Sequence, residues 1–453
     1  MHAKILCRLV ALTLSVALLS CFGILPAGAV SEEKHYQIEN PYAAVDWSTW
    51  KQYKANLHTH SIASDGEVDF NDMIETHYQL GYDILAMTDH AVVDRGWDIR
   101  PQIVPLFSLL KIQRTRGKLP TPLTAERYSQ ILSGTDRNGR GMTRVPLSAE
   151  QNGAVPNNSH VNSFFADWGQ GKMGVDGDYE TVVKSIDALG GLTVINHPGE
   201  WTGARSDASR SSDPKIVSKF ANLFVKYDSC LGFDINSKWD VRTANDRVLW
   251  DNVLKLVIPH GRNVWGFATS DAHQLDVVDC AFTIHLMPKN TIEEVRKSME
   301  HGTFFAVSRY LQGEKLGEGE PPAVERISVT DSASDAQNGS SITITAKDYD
   351  EIRWISDGAV IATGETLNLN AHEQEIGSYV RAEIQGDSGI LYTQPFRITC
   401  EEKPATPEEI PQYFDWSALL RRLADRVLGF VADIHGGNQI FDAVTRLLFG
   451  IRL

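Results

Sequence analysis

Cysteine is scarce: five residues in 453, none in a Cys-x-x-Cys pair. That excludes a thiolate zinc site and a disulfide framework as the organising device of the chain. Cys7 and Cys21 fall in the first apolar segment, which leaves Cys230, Cys280 and Cys400 scattered through the rest. Positive charge is also short. With 43 Lys and Arg against 58 Asp and Glu, the formal charge is −15, and no extended nucleic-acid-binding surface is expected. A nucleotide held at bound cations stays compatible with this, because the ions invert the local field. No Gly-x-Gly-x-x-Gly follows an early strand, which argues against a dinucleotide fold. No serine or cysteine nucleophile motif stands out either, so a hydrolase on this chain would have to activate water.

What is present is an apolar content of 42%, enough for two or three ordinary domains. Lys4 and Arg8 precede an apolar run from Leu9 to Leu25 and then Pro26-Ala27-Gly28-Ala29. That is the layout of an export signal (residues 1–29), cleaved after Ala29, and a secreted or cell-surface protein is expected. An uncleaved anchor is the alternative, since the run is borderline for spanning a bilayer. Leu19-Ser20-Cys21 only loosely resembles a lipoprotein box.

Three segments between residues 50 and 310 repeat one pattern. Phe70 to Leu80 reads as a helix, Gly81 breaks it, Tyr82 to Met87 reads as a buried strand, and His90 follows. Tyr179 to Leu189, Gly190-Gly191, Leu192 to Asn196 and His197 repeat the order, as do Val248 to Val257, Pro259 and Gly261, Val264 to Thr269 and Asp271. Each strand delivers a polar residue at its C-terminal end, where a parallel α/β barrel builds its active site. An open doubly wound sheet would place them similarly. Residues 97–145, rich in Pro and basic side chains, read as an insertion that forms a lid or a solvated excursion.

After Glu318-Gly319-Glu320-Pro321-Pro322 the period changes to two. Residues 323–400 are expected to form a small all-β immunoglobulin-like sandwich with Trp354 in its core. An acidic linker (401–412) leads to an amphipathic helical tail (413–453). There Leu419, Leu423, Val427, Phe430 and Val431 form an apolar face, and Arg421, Arg422, Arg426 and Arg446 supply charge. Docking on the protein or peripheral contact with a membrane or cell surface would both suit such helices.

Nine candidate metal ligands fall at or just after the predicted strand ends: His58, His60, Asp65, His90, Glu150, His160, His197, Asp271 and His273. In a strand, residues i and i+2 point the same way, so His58-Thr59-His60 and Asp271-Ala272-His273 can each aim two side chains at one ion. Imidazole with carboxylate suits zinc, manganese or iron rather than calcium. His77, His285, His301 and His435 lie off this pattern and are assigned to structure.

His58-Thr59-His60 with Ser64-Asp65-Gly66, Thr88-Asp89-His90, Ala149-Glu150, His160, Asn196-His197-Pro198 and Ser270-Asp271-Ala272-His273 resemble the PHP (polymerase and histidinol phosphatase) superfamily over residues 50 to 305. The resemblance implies a distorted (β/α)7 TIM-like barrel within residues 30–315, carrying two or three divalent ions. His58, His60, Glu150 and Asp271 would hold the first. Glu150 would bridge to a second, shared with His160 and His197, and Asp65, His90 and His273 would hold a third. Glu150, Asp271 and His273 are the expected catalytic residues, with Asp271 or a spare histidine protonating the leaving group. Arg95 and Arg205 are the expected substrate-binding cations.

The activity implied is hydrolysis of a small phosphate mono- or diester by a metal-bridging hydroxide. Export sets aside the biosynthetic and replicative members. Two other readings stand beside it: amide or carbamate-ester hydrolysis on the same barrel, and a non-catalytic surface-binding protein with structural metals.

Overall fold

The computed structural model describes residues 34–104, 118–153, 159–172, 179–330, 339–402, 404, 406–414 and 419. The expected export segment and, Leu419 apart, the amphipathic tail beyond Phe414 lie outside the described residues. Chain order begins with β1 (Tyr36–Glu39), β2 (Lys51–Asn56), α1 (Phe70–Gln79), β3 (Ile84–Leu85), α2 (Ala125–Ser133), β4 (Thr143–Arg144), β5 (Ala149–Asn152) and β6 (His160–Phe164). It continues with α3 (Glu180–Asp187), β7 (Leu192–Ile195), α4 (Pro198–Thr202), α5 (Pro214–Lys226), β8 (Cys230–Ser237), α6 (Asp246–Val257) and β9 (Trp265–Thr269). Then come β10 (Ala281–Met287), α7 (Ile292–His301) and β11 (Phe304–Ser308).

Local sequence explains these elements. In α1 the Asp69 carboxylate caps the Phe70 N–H, and Phe70, Met73, Ile74, His77 and Tyr78 form the buried stripe of a 3.6-residue period. Gly81, at φ +82°, ends the helix in the left-handed conformation. α3 buries Val182, Val183 and Ile186, and α6 buries Leu249, Trp250, Val253, Leu254 and Val257. The three helix–breaker–strand units therefore form as the periodicity predicts, with β3 reduced to two residues.

The result is a mixed α/β molecule. β2, β3 and β4 run parallel, as do β7, β8 and β9. The regular alternation breaks where β6 runs antiparallel to both β5 and β7, and where β10 runs antiparallel to β2 and β11. Two isolated parallel bridges, Thr59 to Ala272 and His90 to Glu150, join the two sheets. Both joints lie among the candidate ligands, so closing the sheets also assembles the site.

Part of the 97–145 stretch corrects the expectation of an insertion. Its described second half supplies α2 and β4, and β4 extends the β2–β3 sheet. The polar run from Gly134 to Gly141 is the turn between them. Arg140 forks onto the buried Asp83 at 2.6 and 2.7 Å, Arg137 donates to the Tyr82 carbonyl at 2.8 Å, and Arg144 pairs with Asp94 at 3.2 Å. Basic residues that read as solvated are the partners of buried carboxylates.

A short hairpin, β12 (Tyr310–Leu311) and β13 (Glu314–Lys315), leads to the second region. There β14 (Ala323–Thr330), β15 (Ser341–Lys347), β16 (Glu351–Ser356), β17 (Ala359–Thr363), β18 (Thr366–Asn368), β19 (Tyr379–Gly386), β20 (Gly389–Tyr392) and β21 (Phe396–Cys400) follow as antiparallel strands. Ile342, Ile344, Leu367, Val380 and Ile384 pack around Trp354, whose indole N–H donates to the Gly364 carbonyl at 2.9 Å. β1 pairs with β21, so Tyr36–Glu39 belongs with the last strand rather than with the 30–315 region that precedes it in sequence. β20 pairs with β11, making one sheet continuous across both regions.

The two regions also share buried polar contacts. Asp251 of α6 accepts from the Tyr379 hydroxyl at 2.7 Å and from Arg381 at 2.8 and 2.7 Å. The Gln394 amide exchanges two hydrogen bonds with the Gly266 backbone. The linker lies along the outside of the first region, where Ile410 is buried and Pro411 accepts from Asn222. Replacing Asp251 by Ala takes the paired carboxylate from buried Arg381 and leaves it with Glu383 and the face of the Trp250 ring. Thermal or denaturant unfolding should then show a loss of about 3–5 kcal/mol.

Candidate metal centre

The nine candidate ligands come together in one largely buried cluster, though not all at strand ends as expected: His160 opens β6 and Glu150 is the second residue of β5. His58 and His60 follow β2. Asp65 is presented by a tight loop in which Gly66 N–H returns to the Ser61 carbonyl at 2.9 Å. A Cβ on Gly66 would stand 2.7 Å from that carbonyl, so the loop closes only with glycine there. Asp89 holds the same loop, accepting from the Ser61 N–H at 2.7 Å and from the Ser64 hydroxyl at 2.8 Å. His197 and Asp271 adopt φ +27° and +43°, and Ala91 beside His90 adopts +51°. Such left-handed backbone is costly for non-glycine residues and is kept where surrounding structure over-determines it.

Glu150, on β5, is the hub. Its Oε1 lies 3.3 Å from His58 Nε2, 3.3 Å from His160 Nδ1 and 3.4 Å from His197 Nε2. Its Oε2 lies 3.2 Å from His60 Nε2 and 3.1 Å from His90 Nδ1. Asp271 Oδ1 stands 3.4 Å from His58 Nε2 and 3.2 Å from His60 Nε2, and those two nitrogens are 3.1 Å apart. Ligands bound at about 2.0–2.1 Å in a tetrahedron have edges of about 3.3 Å. The His58–His60–Asp271 triangle, with edges of 3.1, 3.2 and 3.4 Å, therefore fits three ligands of a divalent ion. Asp65 Oδ2 meets His273 Nε2 at 3.0 Å, and Asp65 Oδ1 lies 3.7 Å from His90 Nε2. Among the described residues four overlapping ligand groups result: His58–His60–Asp271, His58–Glu150–His197, His60–Asp65–His273 and His60–His90–Glu150.

The electrostatics follow from burying this charge. Burial opposes ionisation of Glu150, but His160, His58 and His90 around it hold its carboxyl well below the usual range. Burial likewise opposes charge on His58, yet Glu150 and Asp271 push that ring up to about 9. His90 goes the other way, down to about 3, through burial and the like charges of His60 and His160. Burial would raise Asp271 too, but Lys238 and His58 carry it far below the carboxylate range. Asp271 Oδ1 thus faces His58 and His60 while its Oδ2 faces Lys238, an arrangement that suits a ligand carboxylate.

Of the two expected substrate cations, one is paired away from the cluster and the other sits on Glu200, which also faces His197 and Arg242. Arg95 makes a two-pronged pair with exposed Asp167 at 2.5 and 2.7 Å, and Arg205, half exposed, lies 3.3 Å from Glu200. The cations at the cluster are Lys238 and Arg242, which sequence reasoning missed. Lys238 Nζ is 2.8 Å and Arg242 Nη1 3.3 Å from Asp271 Oδ2, and Arg242 Nε is 3.0 Å from Glu200. Lys238 follows β8, so the strand-end rule that found His90, His197 and Asp271 would have found it as well. Asn196, quoted beside His197 but given no role, donates its side-chain amide to Glu150 Oε1 at 2.7 Å. Buried Asp234 stands 3.9 Å from His58 Nδ1 and accepts from the Thr269 hydroxyl at 2.8 Å.

The other described histidines stand apart from the cluster. His77 is bound by Asn56 and the Met73 carbonyl, and His285 by Thr283 and Ser298.

No family model matches the chain, and no curated protein matches it. Solved structures do. The chain is similar to a two-domain protein from Bacteroides vulgatus ATCC 8482 described as containing a predicted PHP-like metal-dependent phosphoesterase (13% identity, 84% of this chain and 98% of that one, TM-score 0.41). It is also similar to the lesion-specific endonuclease PfuEndoQ from Pyrococcus furiosus (12% identity, 89% and 84%, TM-score 0.33). A third is an amidohydrolase from Chromobacterium violaceum (14% identity, 48% and 87%, TM-score 0.27). Likenesses this distant assign no activity.

Asn196→Ala frees one oxygen of the hub carboxylate. Metal titration should show affinity lower by about 10–100-fold with the fold retained. Burial holds His77 down to about 4 and His285 down to about 3, against an ordinary 6.5. Their folded pKa values are depressed, so the unfolded chain binds more protons at acid pH. Stability from neutral burial is present above pH 6.5 and is lost as pH falls from there towards 3. Denaturant melts at pH 7 and 5 should show a smaller acid loss for His285→Gln than for the parent chain.

Proposed function

We propose that this chain is a PHP-type metal-dependent phosphoesterase, with a distorted (β/α)7 barrel as its first region and a small immunoglobulin-like sandwich as its second. The observation that carries the reading is a buried carboxylate, Glu150, ringed by five imidazoles at 3.1–3.4 Å, with Asp271 between that ring and two cations. Two or three divalent ions (zinc, manganese or iron, by the donor set) held by these residues would supply Lewis acidity and water acidic enough to ionise near neutral pH.

The chain's own residues do the rest. Glu150 orients the imidazoles from two sides through its two oxygens. Asp271 turns one oxygen to His58 and His60 and the other to Lys238 and Arg242. Lys238 and Arg242 already face Asp271, and Arg242 also faces Glu200, but both stay partly exposed beside the cluster. A phosphate group carries the charge that such cations bind, and Arg and Lys are its usual partners. A neutral carbamate or amide carries none, which favours the phosphoester reading. The Lys4-to-Ala29 pattern supports export and therefore an external small phosphoester. The basic apolar pattern after residue 413 supports contact with a membrane or cell surface.

The test is hydrolysis of p-nitrophenyl phosphate, bis-p-nitrophenyl phosphate and a 1-naphthyl carbamate after reconstitution with each metal. Phosphoester turnover is expected, and a His58→Ala, His60→Ala double variant should lose more than the roughly hundredfold that outer-shell changes cost. Carbamate turnover without phosphoester turnover would replace this reading by the amidohydrolase one.

A further inference from the structure

The turn that carries Lys238 and Arg242 is built with more support than a surface loop needs. Lys238 and Asp240 both take left-handed backbone, φ +51° and +60°, which a non-glycine residue keeps only under constraint. The constraint converges on Asp240, fully buried, which accepts from the Thr243 hydroxyl at 3.0 Å and from Arg247 at 2.7 and 2.8 Å. A further bond comes from the hairpin that leads to the second region: Gln312 N–H, between β12 and β13, donates to Asp240 Oδ2 at 2.9 Å. The neighbouring Gly313 N–H donates to the Trp239 carbonyl at 2.8 Å.

Arg247 continues the path. It lies in the first turn of α6, and its guanidinium stands over the Tyr392 ring of β20 at 5.7 Å. One helical turn further, Asp251 takes Arg381 and Tyr379 of β19. α6 is thereby gripped by the second region at two successive turns, and its free end holds Asp240.

We infer that the β-rich second region is a positioning part of the active site, holding the Ser237–Thr243 turn so that Lys238 and Arg242 meet the anionic group of the substrate. The inference rests on the phosphoesterase reading and deepens it. Lys238 and Arg242 are partly exposed, 13% and 32%, so an anion can reach them. Arg247, Asp240 and Tyr392 act through the turn and are positioning residues.

The experiment uses the full metal-loaded chain and four readouts: bound metal, melting temperature, calorimetric binding of inorganic phosphate, and KM against kcat for p-nitrophenyl phosphate. Arg247→Met is expected to weaken phosphate and raise KM by about tenfold, the scale of one misaligned charged hydrogen bond. Metal content should be unchanged, kcat should move less than KM, and Arg247→Lys should recover part of the loss. Tyr392→Leu should move KM in the same direction, and it keeps the brace testable if Arg247→Met does not fold. Lower melting temperatures with parental phosphate affinity and KM would overturn the inference, leaving the brace as fold support only. Parental phosphate affinity in Lys238→Gln and Arg242→Gln would overturn it as well. A parent chain that neither binds phosphate nor hydrolyses the ester would instead sink the phosphoesterase reading itself.

Discussion

A carboxylate buried to 1% exposure needs compensation, and the first region is arranged around that of Glu150. An isolated charge there would be costly to bury. Imidazoles that follow β2, β3 and β7 and one that opens the antiparallel β6 reach it, so these strand termini must meet at the same depth. The His90–Glu150 and Thr59–Ala272 bridges fix that depth by tying one sheet to the other. The left-handed residues at Ala91, His197 and Asp271 are the local cost of aiming side chains inward. Site and sheet closure are in this sense one constraint.

The second consequence of that buried charge is the layer outside it. Asp271 faces the histidines with one oxygen and Lys238 and Arg242 with the other, which makes it the link between the cluster and those two cations. Those cations depend on Asp240, Asp240 on Arg247, and Arg247 on an α6 that the second region grips. The continuous sheet through β11 and β20 and the buried Asp251–Arg381 pair make the two regions one mechanical unit. Buried ion pairs add little net stability but are costly to break, which suits a contact that fixes geometry.

How much of this was legible depends on the range over which each signal acts. Helix caps, breakers and hydrophobic period are local, so α1, α3, α6 and the strands after them were readable. So was the clustering of polar residues at strand ends, because i, i+2 geometry is a property of the strand alone. The turn from Gly134 to Gly141 was misread, since Arg137 and Arg140 find their partners, Tyr82 and Asp83, about 55 residues away. β1 was misplaced for the same reason: its partner, β21, comes more than 350 residues later. Arg95 and Arg205 were chosen for nearness in sequence to His90 and His197, and nearness in sequence does not set where a long flexible side chain ends.

The sequence alone determined which residues are candidate ligands and, for those after β2, β3, β7 and β9, which strand end carries them, because period, caps and strand alternation are written in neighbouring residues. Only the tertiary structure decided that Glu150 is the hub, that Asp271 lies between the histidines and Lys238 with Arg242, and that a β-rich second region grips the helix behind the turn carrying them. Those facts are distances between residues far apart in the chain. Sheet closure and charge burial set them, and no local pattern records either.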